Sequence, residues 1–206
     1  MESMTKNEPA RDFPYASIRG DCYALLAVLL ENQPSEGVLK VLHDLQWEEA
    51  IPGAVDHALR ALIQASHDYP LSALEDEYDR LFVGLGSGEV IPYASWYRKK
   101  TIQSSPLASL RSDLMLLGIV RQAGTHEPED HAGALCECMA LIAQKDDPRP
   151  LATQERFFRA NIAPWMADFF EDLQAARSAG FYRTVGLLGS RFMQSEMEYF
   201  KNGGRA

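Results

Sequence analysis

An all-α fold is what this sequence predicts, on three observations. Apolar residues recur at helical spacing in almost every segment. No run alternates apolar and polar residues as a half-buried strand would. Proline, glycine and serine fall between the apolar stripes, where helices start and stop. With 206 residues, 46% of them hydrophobic, the chain can close a full core.

Each element follows from its own pattern. Tyr15, Ile18, Cys22, Leu25, Leu26 and Leu29 form the first stripe, and Pro34 ends it. Ser35 caps a second helix carrying Val38, Leu39, Leu42 and Leu45. A third runs from Gly53 to His67 with Val55, Leu59, Leu62 and Ile63 on one face. Ser72 and Glu75 have capping-box spacing and open a fourth, ending near Val83. Ser105-Pro106 is an N-cap and first-turn pair for a helix that uses Leu107, Leu110, Leu114 and Leu117 and stops at Gly124. Another starts near Pro128 and reaches Ala143. Thr153 caps a helix through Arg159, and Pro164 starts the next, with Trp165, Phe169 and Leu173 on its stripe and Gly180 as its C-cap. A last helix covers Phe181 to Phe200, although Gly186 and Gly189 weaken it. The sum is roughly eight to ten helices in one globular multi-helix bundle over residues 1–206. The polar stretch Gln144–Pro150 is a loop, or a hinge between two helical subdomains.

Charge narrows the partners. Acidic residues outnumber basic ones by 29 to 20, for a formal charge of −9. That disfavours nucleic acid and anionic membrane, and suits a basic peptide. The N-terminus MESMTKNEPARDF has no apolar core of a signal peptide, and Tyr23–Leu30 falls far short of the ~20 residues that span a bilayer. The expectation is a soluble, cytoplasmic chain. Three cysteines, Cys22, Cys136 and Cys138, do not make a disulfide framework.

The stretch Glu77–Tyr97, EYDRLFVGLGSGEVIPYASWY, carries the densest signal. It is too apolar for a solvated loop and too rich in glycine for a helix. Loops of that kind usually serve recognition. Tyr78, Leu81, Phe82, Pro92, Tyr93, Trp96 and Tyr97 either pack the core or line a groove for an apolar peptide. Ser95 can cap a short helix beginning at Trp96. Gly84, Gly86 and Gly88 do not make a nucleotide fingerprint, because a helix precedes them and no Walker lysine follows. They supply turns with positive φ and a close backbone approach for a partner. Glu127-Pro128-Glu129-Asp130-His131 sits at a predicted helix start, where carboxylates suit the helix dipole or could pair with arginines of a guest. A metal site on His131, Cys136 and Cys138 is disfavoured, since residues two apart on a helix point about 200° apart. None of the five histidines lies in a catalytic signature.

Three blocks resemble the TorD/DmsD/NarJ family of redox-enzyme maturation chaperones. Glu77-Tyr78-Asp79-Arg80-Leu81-Phe82-Val83-Gly84 with Pro92-Tyr93-Ala94-Ser95-Trp96-Tyr97 is similar to E-Y-x-R-L-F-x-G … P-Y-x-S-x-Y. Glu127–His131 is similar to E-x-x-D-H. Asn161-Ile162-Ala163-Pro164-Trp165 with Phe169 and Asp172-Leu173 is similar to H-L-x-P-W … F-x-x-D-L, with Asn161 in place of the histidine.

The resemblance implies a TorD-like helical fold, monomeric or a domain-swapped homodimer, with no catalysis, cofactor or metal of its own. It implies a partner: the twin-arginine leader, or the apo body, of a molybdenum-cofactor oxidoreductase whose export is delayed until the cofactor is inserted. Leader binding would fall on Tyr78, Leu81, Phe82, Pro92, Tyr93, Ser95, Trp96, Glu127, Asp130 and His131. A NarJ-like assembly factor for a subunit without an exported leader is the alternative within the family. A nucleotide-dependent enzyme is the alternative of another class, disfavoured by the missing P-loop.

Overall fold

The computed structural model describes residues 14–45, 53–84, 88–98, 106–120, 128–144 and 148–205. Among them are ten α-helices and no strand: α1 (Pro14–Glu31), α2 (Glu36–Asp44), α3 (Gly53–Asp68), α4 (Leu71–Tyr78), α5 (Ala94–Tyr97), α6 (Pro106–Leu117), α7 (Ala132–Ile142), α8 (Leu151–Asn161), α9 (Met166–Ala175) and α10 (Phe181–Lys201). α4 runs into a wider π-helical turn over Asp79–Val83, closed by the Gly84 N–H on the Asp79 carbonyl at 2.7 Å.

The core is built around α10, on which α1, α3, α4 and α9 pack, while α7 lies along α1. The two glycines that weaken α10 by propensity are what let it approach α9. A Cβ on Gly189 would sit 2.3 Å from the Phe170 ring, and one on Gly186 would sit 3.0 Å from the Phe170 carbonyl oxygen. A propensity penalty of about 1 kcal/mol per glycine is outweighed by close helix packing.

A buried polar cluster ties α1 to α10. Arg19 is 2% exposed and grips Glu196, which is fully buried, through Nε at 2.6 Å and Nη2 at 2.7 Å. Tyr15 and Tyr23 donate to the same carboxylate at 3.0 and 2.8 Å. Gln154 of α8 accepts from Arg19 at 2.7 Å, and the Tyr199 ring lies 4.2 Å from the guanidinium. Burial, reinforced by the Glu196 charge, pushes both tyrosine hydroxyls well above their ordinary range. A lone buried charge would be strongly destabilising; here both carboxylate oxygens of Glu196 and all three guanidinium nitrogens of Arg19 have a hydrogen-bond partner.

Several boundaries differ from the sequence reading. Ser72 lies within the first turn of α4, whose cap position is Pro70. α6 ends at Leu117, not Gly124, because Gly118 takes φ +71 and Ile119 N–H turns back to the Leu114 carbonyl. α7 begins at Ala132 rather than Pro128, since His131 is its cap. α8 starts at Leu151, with Pro150 and not Thr153 at the cap position, and α9 starts at Met166 after a turn that includes Pro164. Gly180 is the N-cap of α10, not the C-cap of α9. Ser105, Gly124, His126, Glu127 and Gly86 lie outside the described residues.

Candidate functional site

The segment after the π turn folds back on the chain. Val90 N–H reaches the Leu81 carbonyl at 2.9 Å, and Gly88 approaches the same carbonyl so closely that a Cβ would lie 2.2 Å from its oxygen. Gly84 has φ 59. Gly84 supplies the expected positive φ, whereas the close approach at Gly88 is to this chain's own backbone and not to a partner.

The Pro-Tyr-Ala-Ser run is then pinned to the acidic run 35 positions later. Ala132 N–H donates to the Pro92 carbonyl at 2.8 Å, and Ala94 N–H to the Asp130 carbonyl at 3.0 Å. Ser95 N–H donates to the Asp130 carboxylate at 2.8 Å. Tyr93 and His131 face each other across an isolated bridge, with ring centroids 5.2 Å apart, edge to face. The cap position of α5 is Tyr93, and Ser95, expected to cap a helix beginning at Trp96, lies inside a helix that begins at Ala94; Asp130 caps α5 from outside by accepting its first-turn N–H. It is 2% exposed. His131 is 5% exposed and accepts the Gly133 N–H on Nδ1 at 3.1 Å, which makes it the cap of α7.

Tyr97 carries the link onward. Its hydroxyl donates to Asp172 at 2.8 Å, and its ring lies 5.5 Å from Trp165 and 6.3 Å from Phe169. Burial and the Asp172 hydrogen bond push that hydroxyl above its ordinary range. Arg98 donates to the Ala160 carbonyl at 3.1 Å. Asn161, standing where the histidine was expected, is buried and joins α8 to Asp113 of α6 at 3.0 Å, while its carbonyl takes the Trp165 indole N–H at 2.8 Å. All three sequence blocks therefore meet around residues 88–98.

The expected site residues divide by exposure. Tyr78 and Leu81 are buried; the Tyr78 hydroxyl donates to the Leu30 carbonyl at 3.2 Å. Half-buried Phe82 packs on Tyr78 at 4.9 Å and on Tyr182 at 5.4 Å. Pro92, Asp130 and His131 are buried, and Tyr93 is half-buried. Ser95 and Trp96 are exposed, Trp96 by 47%, and Val83 nearby in sequence by 58%. Glu129 holds Arg111 bidentately at 3.1 and 3.0 Å. An open cleft of about 530 Å³ lies beside the loop, lined by Glu89, Asp172, Ala175, Ala176 and Arg177.

Two anchors escaped the sequence reading. Glu77, 3% exposed, accepts the N–H groups of Gly180, Phe181 and Tyr182 at 2.8, 3.1 and 2.7 Å, and so caps α10. Glu89 accepts the N–H of Arg177 and Ser178 and the Ser178 hydroxyl. Those Ser178 bonds hold its carboxyl below the ordinary range. Both partners lie some ninety or more positions away, where no local pattern points.

The cysteines are buried thiols, with Cys22 and Cys138 pushed up to about 12 by burial. Among the described residues no group of three or more His, Cys, Asp or Glu is placed to hold a metal ion. No described helix is long and apolar enough to cross a membrane. The fold and its pinned aromatic turn define a helical protein whose candidate site is made of contact groups. The family model described as nitrate reductase delta subunit matches residues 48–171, more than half of the chain, and the chain belongs to that family.

Its relatives agree with the resemblance read from the three blocks. The chaperone protein TorD of Shewanella pealeana is 23% identical over 92% of each chain. A Haemophilus influenzae protein named as the Tat proofreading chaperone DmsD is 28% identical over 72% of this chain and 71% of its own. A solved structure from Archaeoglobus fulgidus, described as a redox enzyme maturation protein, shares the fold with a TM-score of 0.58 over 93% of this chain and 99% of that one, at 14% identity. The TorD/DmsD/NarJ resemblance and the helical fold are borne out.

Proposed function

We propose that this redox-enzyme maturation chaperone binds the twin-arginine leader of a molybdenum-cofactor oxidoreductase in the cytoplasm, and delays export until the cofactor is inserted. It does so as a binding protein, without catalysis. The observation that carries this reading is the convergence of the three blocks on one pinned turn with Trp96 held at the surface. A buried carboxylate, Asp130, fixes that turn at both backbone and side chain.

Nine of the ten residues take two roles in this reading, and the tenth, Glu127, joins the acidic side chains that draw the n-region. Tyr93, Ser95 and Trp96 touch the leader, with area burial on the aromatic faces at ~25 cal/mol per Å² as the driving term. Tyr78, Leu81, Phe82, Pro92, Asp130 and His131 hold that surface in place. The basic n-region is drawn by the net charge of −9 and by the acidic side chains Glu127, Glu129, Asp172 and Glu89. Glu129 already grips one guanidinium, that of Arg111, in the bidentate geometry a leader arginine would use.

Calorimetric titration of a synthetic twin-arginine leader tests the reading. The unaltered chain binds, more weakly at high salt, and Trp96→Ala binds roughly tenfold more weakly at unchanged helicity. Equal affinity for the leader and for a scrambled peptide would sink it.

A second reading within the family, whose model is described as nitrate reductase delta subunit, is an assembly factor for a subunit without an exported leader. Affinity capture from anaerobically grown cells separates the two. A precursor with its leader intact supports the first; a leaderless subunit supports the second.

A further inference from the structure

An open, apolar concavity lies away from the pinned turn. It is a groove of about 570 Å³ between α1 and α2. Ile18, Leu25 and Val28 of α1 form one wall, and Val38 and Val41 of α2 the other. Cys22 and Leu59 lie among its lining residues and are buried. Val28 is 50% exposed and Val41 57%, so neither wall is covered by the described residues. From Ile18 to Val28 the α1 wall runs about 15 Å at the helical rise, the length of two to three turns of a guest helix.

One end of the groove adjoins the candidate site. Two residues beyond Val28, the Leu30 carbonyl takes the Tyr78 hydroxyl. One residue further, Glu31 packs so closely on Gly133 that a Cβ there would lie 2.5 Å from the Glu31 Cγ. Gly133 is the residue whose N–H caps onto His131. That end is also acidic. Glu36 opens α2 between the lining residues Ser35 and Gly37. Burial and the nearby Glu137 charge raise the carboxyl of Glu31. The groove wall carries one charged side chain, Asp21, and no basic one.

We infer that the α1–α2 groove takes the apolar h-region of the leader as a short helix, with the basic n-region at the Glu31–Glu36 end beside the pinned turn. This rests on the leader-binding reading and adds a second subsite to it. Apolar walls with an acidic end match a peptide that is basic first and apolar next. An acidic apolar peptide would be repelled.

Fluorescence anisotropy with a labelled leader tests the subsite. The variants are Val28→Asp and Val41→Asp, chosen because both side chains are exposed enough to be changed without breaking the core. Each weakens leader binding by roughly tenfold or more, with melting temperature and molecular mass unchanged. A leader whose h-region leucines are replaced by serine binds the unaltered chain weakly and is indifferent to both changes. If both variants bind the normal leader with full affinity while Trp96→Ala does not, the groove proposal fails and the leader reading stands. A change in oligomeric state or melting temperature without a change in affinity assigns the groove to a second copy or to this chain's own residues, and overturns the proposal. No binding by the unaltered chain overturns both.

Discussion

The Arg19–Glu196 cluster and the Pro92–Tyr97 turn use the same chemistry to opposite ends. In the first, a carboxylate, a guanidinium and two tyrosine hydroxyls saturate one another inside the core. In the second, a buried carboxylate fixes a backbone turn while two of its side chains, Ser95 and Trp96, face outward. Polar groups that close on themselves hold a fold together. Polar groups that close on backbone leave side chains available for a partner. The site is therefore expected to be separable from stability, although both regions contain buried charge.

Breaking the first region should have the largest effect. Glu196→Ala leaves Arg19 buried without its bidentate partner and should lower stability by about 3–5 kcal/mol in urea unfolding. Leader affinity of the molecules that remain folded should not change. Glu77→Ala comes next, since three N–H groups at the start of α10 lose one acceptor. About 2 kcal/mol is expected, again without a direct effect on the leader.

The turn itself sharpens the contrast. Asp130→Ala should lower stability by about 1 kcal/mol and also weaken leader binding, because the α5 cap is lost and Trp96 is no longer held. Asp130→Asn, which keeps an acceptor for Ser95 N–H, should restore most of the affinity. If Asn fails as badly as Ala, the charge of Asp130 matters and the arginine-pairing role returns. Trp96→Ala should change stability by less than about 0.5 kcal/mol, as an exposed substitution, while weakening the leader.

The smallest effect concerns pH. Glu89 has a depressed carboxyl, so its contribution is present above the unfolded value, near 4.5, and is lost as pH falls through the folded value. The 88–98 loop should loosen at acid pH in hydrogen exchange. Glu89→Gln should remove that dependence.

Much of the helical framework was legible in the sequence, because apolar stripes and caps are local. Ser35 caps α2 as its spacing indicates, and the long α10 follows its stripe. What was not legible depends on partners far along the chain. Nothing near Glu77 shows that it caps a helix starting at Phe181, and nothing near Arg19 names Glu196. Gly180 was placed at the wrong end of its gap because a glycine serves either terminus. The site was legible as three blocks, through resemblance. Their division into buried supports and exposed contacts was not, since Asp130 and Trp96 differ in burial for reasons set by Ser95 and the fold of the loop. The stacked rings of His43 and His67, 4.0 Å apart, left no sequence signal.

The central claim is that the pinned turn is where the leader is met. Hydrogen exchange of the full chain, with and without a saturating twin-arginine leader, tests it most directly. The account predicts added protection at residues 93–97 and 130–132, with the interior of α10 unchanged. Protection confined to α8–α10, with residues 93–97 exchanging as in the free chain, would contradict it.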